Sequence, residues 1–223
     1  MPVAFLDLAQ NCAPRIATET IAAVVSIESG FRPFAIRINT DRPLAEQPKT
    51  RAEAIETATI LISEGHDIDL GLGGINSDNL GRLGMSVSDT FDFCLNLKAS
   101  AALLEGYYQI ALQGGVTTAQ AQAVMLRSYF GNGDASVGEM VGYDKKVLAE
   151  RERLSSQLDS IEIVGAQARA PARERAGEPS AATVDNGPAE TSQKQSQASV
   201  PRWDVYNVGR QSSVLVFSNE QKE

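Results

Sequence analysis

The sequence predicts an all-α domain, followed by a disordered linker and a short C-terminal tail. Three observations predict it. Apolar residues recur at helical spacing through the first two-thirds of the chain. Alternation of period two is nearly absent from the same region. Glycines stand at the ends of the periodic stretches, where helices stop.

The first helix is expected over 16–29, with Pro14 marking its approach and Gly30 its end. Ile21, Val24, Val25 and Glu28 fall at i, i+3, i+4 and i+7, so Glu28 ends a core-facing stripe. Residues 31–49 hold three prolines and have room for a short hairpin. Thr50-Arg51-Ala52-Glu53 reads as a capping box. It opens a helix with Ile55, Ala58 and Ile62 on one face, closed by Gly65. Residues 69–85 are rich in glycine, asparagine and leucine and read as a loop, a common place for binding groups. Leu97, Ala101, Leu104 and Tyr108 form another helical stripe, ended by Gly114-Gly115. Thr117 to Gln120 caps a helix that runs to about Tyr129. A last helix is expected over 138–158, strongly charged at Glu150-Arg151-Glu152-Arg153.

The helical domain is assigned to 1–164. Residues 165–199 are Ala, Pro, Glu, Gln and Ser without an aromatic residue. Such a segment buries too little apolar surface to offset its ordering entropy, so it reads as a disordered linker. Residues 200–223 return to β-forming residues, including Trp203, Tyr206 and the run Val214 to Phe217. An isolated hairpin is marginal in water. The tail is either frayed or a docking strand that pairs with another protein's sheet edge.

At 223 residues the chain is long enough for one domain with a real core. Its net charge of −8 argues against capture of nucleic acid. No apolar run approaches the ~20 residues that span a bilayer. The N-terminus shows no basic region followed by a long apolar stretch, so a normal secretory signal is not visible. Export by another route, or a processed or alternative start, remains open. Cys12 and Cys94 are either one disulfide or two small buried hydrophobes. Together with the lone His66 they supply too few ligands for a metal, and no cofactor is expected.

A carboxylate held against apolar walls resists ionisation, because desolvation penalises its charged form. Glu28 could then act as a general acid. The competing reading has it bend to solvent or pair with Arg32 or Arg37. Other chemistries lack their parts. Asp67 to Gly71 fails as a calcium loop, since its glycine comes early and the closing acid is missing. Gly71-Leu72-Gly73-Gly74 is not followed by the Lys-Ser/Thr of a phosphate loop. There is no Gly-x-Ser-x-Gly elbow.

What remains is an ordered set: Glu28-Ser29-Gly30-Phe31 closing an apolar helix, Gly71 to Asn76 in a loop, Ser128 to Gly133 after another helix, and Tyr143 downstream. In this order the segments resemble the lytic transglycosylases of the goose-type-lysozyme-like superfamily. Phe91 to Leu97 and Leu8 to Pro14 look most like the small wall-cutting component of type IV secretion and conjugation systems. The resemblance covers about 6–148. It implies a lysozyme-like helical domain with a substrate cleft. It also implies cleavage of peptidoglycan glycan strands between N-acetylmuramic acid and N-acetylglucosamine, leaving a 1,6-anhydro end. Carried over, Glu28 matches the catalytic acid/base and Tyr129 the tyrosine that orients it. Ser29, Gly74, Ile75, Asn76, Phe130 and Tyr143 fall at substrate-binding positions. The setting implied is the periplasm, which favours a Cys12–Cys94 disulfide. The partners implied are the wall and, through the tail, secretion-system components.

The chain departs from the family twice. Gly74 stands where glutamine is usual, and Phe130 where asparagine follows the tyrosine, with Asn132 displaced by two. Both changes remove sugar-facing polar groups. On this reading Gly74→Gln restores a contact, provided glutamine fits the backbone angles at Gly74; the alternative is that glycine stands there to allow those angles. The losses also support a rival reading, a catalytically weakened, wall-binding adaptor. A lysozyme that hydrolyses with water is a third, which reducing ends in the product would identify.

Overall fold

A computed structural model describes residues 2–40 and 42–165. The tail expected over 200–223, and the linker expected over 165–199 beyond its first residue, lie outside the described residues.

The chain opens with a short strand, β1 (Val3–Ala4), and runs directly into α1 (Phe5–Cys12). Next come α2 (Thr18–Ser29), β2 (Ile36–Ile38) and α3 (Arg51–Ser63). Two further strands, β3 (Ile68–Leu70) and β4 (Ile75–Asn76), lead to α4 (Asn79–Leu83). The remaining helices are α5 (Phe93–Gln113), α6 (Thr118–Phe130), α7 (Ala135–Met140) and α8 (Tyr143–Leu154), and β5 (Glu162–Ile163) follows them. The domain is thus mostly helical but carries two small antiparallel sheets, β1-β5 and β2-β3-β4. This corrects the all-α expectation. Strands of two or three residues are too short for a period of two to register in the sequence.

The helices form as their sequences direct, with local differences. In α2 the faces carrying Ile21, Val24 and Val25 are fully buried, and Gly30 ends the helix. Thr50 caps α3 by accepting from Glu53 N at 3.2 Å. The reciprocal bond shifts by one residue, with Lys49 N donating to the Glu53 carboxylate at 2.9 Å. The buried face of α3 is Ala54, Ala58 and Leu61, while Ile55 and Ile62 pack at its margins. A full capping box at Thr117 and Gln120 opens α6. The helix expected over 138–158 divides into α7 and α8. Gly142 sits between them at φ +62°, a left-handed conformation that interrupts a helix and that glycine adopts without penalty.

The longest helix, α5, runs through the core, packed by α1 and α6; α2 lies on α8. Asn96 of α5 is fully buried, and its amide is spent on backbone. Its oxygen accepts from Gly73 N at 2.7 Å, and its nitrogen donates to Leu70 O and Thr90 O. A buried amide must find such partners, and these bonds hold the 70–73 loop against α5. A disulfide joins Cys12 of α1 to Cys94 of α5, closing the alternative left open by the sequence. Among the described residues, no helix is long and apolar enough to cross a membrane.

Candidate active site

Glu28 lies in the last turn of α2, and its side chain is only 2% exposed. The stripe that begins at Ile21 carries it inward, as its spacing predicts. Tyr143, the first residue of α8, donates its hydroxyl to Glu28 Oε1 at 2.5 Å. Arg37 Nη1 lies 2.8 Å from Oε2. That contact is an ion pair without hydrogen-bond alignment, so Oε2 accepts no directed donor. Both competing readings of Glu28 therefore hold at once: it is buried, and it is paired with Arg37. Arg32 turns elsewhere and donates to Ser29 O.

Arg37 does not belong to Glu28 alone. In the β2-β3 register it stands directly opposite Asp69. Its Nε and Nη2 both donate to Asp69 Oδ2, at 3.0 and 2.7 Å. Asn76 of β4 donates to the other Asp69 oxygen at 2.9 Å and to Asp67 at 2.6 Å. Asp69 thus shares the Arg37 charge with Glu28 and offsets part of its pull on the carboxyl. Burial pushes the Glu28 carboxyl above the ordinary range, Arg37 and the Tyr143 hydrogen bond pull it down, and Asp69 pushes it up again. Burial outweighs the others, so Glu28 keeps its proton to higher pH than a free glutamate does. Tyr143 is raised well above the ordinary phenol, first by burial and then by the Glu28 charge, and remains a donor.

Glu28 borders a pocket of about 580 Å³ that is also lined by Arg37, Asp67, Asp69, Gly74, Asn76, Asn79, Tyr129, Phe130 and Asn132. Four residues expected from the sequence, Gly74, Asn76, Tyr129 and Phe130, come together there with Glu28. The hydroxyl of Tyr129 does not reach the carboxylate in this structure; it donates to Gly73 O at 2.7 Å. The tyrosine on Glu28 is Tyr143, which was expected to face substrate but is 1% exposed. Ser29 and Ile75 were also expected at the substrate and lie outside the pocket lining. Ser29 is buried and donates to Val25 O, while Ile75 is in the core. Phe130 packs its ring 5.0 Å from that of Tyr143, bracing the residue that holds Glu28.

Gly74 has a reason to be glycine. It sits at φ +64°, and a Cβ there would lie 2.9 Å from Glu28 Oε2. A glutamine at this position would crowd the carboxylate, which overturns the expectation of a restored contact.

Sequence reasoning passed over Asp69 and left Arg37 only as a possible surface partner. Ile36-Arg37-Ile38 and Ile68-Asp69-Leu70 each place one charge between two branched apolar residues, a pattern too short to reveal the pairing by itself. Among the described residues, no cluster of side chains is suited to a metal ion.

With this geometry in place, comparison with known proteins is decisive on family. Residues 7–150 match the Transglycosylase SLT domain family. The chain belongs to that family. Among relatives of this SLT-domain chain, the type IV secretion system protein virB1 of Brucella suis biovar 1 (strain 1330) is 44% identical over 110 residues. That alignment covers 49% of this chain and 46% of the relative. Protein virB1 of Agrobacterium fabrum (strain C58 / ATCC 33970) is 31% identical over 157 residues, 69% of this chain and 62% of the relative. Protein virB1 of Rhizobium radiobacter is 34% identical over 157 residues, covering 69% and 63%. The SLT-domain chain thus spans about half the length of the Brucella relatives it matches, and under two thirds of the others. No solved structure matches it.

Proposed function

We propose that this protein is a peptidoglycan lytic transglycosylase that opens the wall in the periplasm for a type IV secretion or conjugation apparatus. The observation that carries the reading is one carboxyl, Glu28, buried at the edge of a pocket, with Oε1 held by Tyr143 and Oε2 paired with Arg37 at 2.8 Å. The family and the names of the virB1 relatives support the substrate and the setting.

The pocket acts as the substrate cleft of a lysozyme-like domain. Glu28 protonates the glycosidic oxygen between N-acetylmuramic acid and N-acetylglucosamine, and that bond breaks. The acetamido group of the substrate stabilises the positive centre at C1. Glu28, now a carboxylate, takes the proton of the C6 hydroxyl as its oxygen attacks C1, closing the 1,6-anhydro ring. Holding attacker and target within one sugar supplies proximity. Ordinary glycosidases use two carboxylates; here Asp69 is committed to Arg37 and Asn76, which suits a single-carboxylate mechanism. Tyr143 orients Glu28, and Arg37 steadies the carboxylate once the proton has left. Tyr129 holds the 70–73 loop. The segment 200–223 contacts the secretion machinery.

Digestion of purified wall sacculi tests the reading. Wild-type protein releases fragments with anhydro ends, and Glu28→Gln lowers the rate by about 10²–10⁴, the share of general acid–base catalysis. Near-normal cutting by a folded Glu28→Gln protein refutes the assignment. Reducing ends in place of anhydro ends indicate hydrolysis.

A further inference from the structure

Where Asn79 and Asn132 line the same pocket lies a chain of three polar side chains that the mechanism does not use. Arg82 Nη2 donates to Asn79 Oδ1 at 2.6 Å and reaches Tyr107 OH at 3.2 Å. Asn79 Nδ2 donates to Asn132 Oδ1 at 2.6 Å. Asn79 is 7% exposed, whereas Asn132 is exposed at the pocket wall.

The direction of this chain follows from its first member. Arginine has donors and no acceptor. Asn79 must therefore turn its oxygen toward Arg82, which leaves its nitrogen for Asn132. Asn132 must answer with its oxygen, which leaves Nδ2 as the polar atom available to the pocket. That nitrogen has no partner among the described residues. The backbone contributes too. Asn132 sits at φ +50°, a left-handed conformation that asparagine tolerates better than most residues. The result is a hydrogen-bond donor set in one orientation before any ligand arrives.

We propose that Asn132 Nδ2 is a substrate-recognition donor for the acetamido carbonyl of an N-acetylated sugar, with Arg82 and Asn79 as positioning residues that fix its polarity. The proposal rests on the glycan-cutting reading and adds the residue that grips the sugar. A neutral amide N–H suits a neutral carbonyl oxygen, the strongest uncharged acceptor such a glycan offers. Orienting the donor in advance reduces the ordering cost of binding.

Chitotetraose binding, read by calorimetry, and sacculus digestion, read as kcat and KM, test it together. Asn132→Asp keeps shape and backbone tolerance but replaces the donor with an acceptor. It weakens binding by about 2- to 12-fold or more, the worth of a net hydrogen bond, and raises KM while kcat stays within about two-fold. Asn132→Gly, which suits the same backbone angle, loses affinity to a similar extent. Arg82→Met leaves Asn132 in place yet weakens binding, and Arg82→Lys, again a donor without an acceptor, restores it. Unchanged affinity in folded Asn132→Asp and Asn132→Gly proteins overturns the proposal. Loss in Arg82→Met without rescue by lysine overturns the polarity chain. If wild-type protein binds no N-acetylated glycan, the wall-cutting reading itself fails and this proposal with it.

Discussion

In the proposed mechanism, Glu28 serves as an acid only while it keeps its proton beside an arginine. Four groups face it: Tyr143 from α8, Tyr129 from α6, Arg37 from β2 and Asp69 from β3. Arg37 favours the ionised form, and Asp69 favours the protonated one. Activity that requires protonated Glu28 is lost as pH rises through its pKa. Arg37→Met removes the cation, so the alkaline loss of cutting moves to higher pH. Asp69→Asn frees the arginine for Glu28, so the loss moves to lower pH. Rate profiles on sacculi check both signs; shifts in the same direction exclude the balance described. Gly74 supplies a second test. Gly74→Gln forces a side chain into a left-handed backbone and against Oε2, so it lowers stability by about 1–2 kcal/mol and slows cutting. Thermal unfolding and digestion measure the two effects, and a stable variant with better affinity would contradict the close approach.

At the level of elements, the site depends on joints between helices rather than on the helices alone. The break at Gly142 lets α8 begin at Tyr143 and send its hydroxyl to α2. Ser26 of α2 donates to Glu150 of α8, and Arg153 grips the same carboxylate, so α2 and α8 are tied again about two turns further along α8. Together Arg153 and Ser26 hold the Glu150 carboxyl down at about 2. The Cys12–Cys94 bond joins elements 82 residues apart. Closing so long a loop restricts the unfolded chain, and its reduction should lower stability by about 2–4 kcal/mol. Denaturant curves with and without reductant measure this. Two thiols reactive toward label in denatured, unreduced protein would rule the bond out.

Across the whole molecule, the two ends of the described domain meet. Val3 and Ala4 pair with Ile163 and Glu162, and Ile163 is fully buried. A chain ending after Gly165 keeps this closure and every side chain that lines the pocket, so it should digest sacculi in vitro as the full chain does. A chain ending after Ser160 loses β5. Removing the burial of Ile163 alone costs about 1.5–3 kcal/mol, so this shorter protein should unfold at lower temperature. If the chain ending after Gly165 cannot cut wall, residues 166–223 belong to the catalytic unit. If it cuts wall but fails to support transfer in cells, the docking role proposed for the tail gains its first support.

Much of the site was legible before folding. Helical periodicity placed Glu28 on the inward face of α2, because spacing along one helix alone determines which side chains share a side. The same logic found α5, α6 and the caps at Thr50 and Thr117. Local pattern fails where partners are remote. Tyr143 is 115 residues from Glu28, and only the packing of α8 on α2 shows that it, rather than Tyr129, reaches the carboxylate. Arg37 meets Asp69 because two three-residue strands pair in one register, which such short segments cannot announce. The glycine at position 74 looked like a lost sugar contact until a neighbouring carboxylate was seen to fill the space its side chain would need. Composition and periodicity specify which faces are buried; which buried groups touch is decided by the tertiary fold, since contact depends on distances that sequence spacing does not contain.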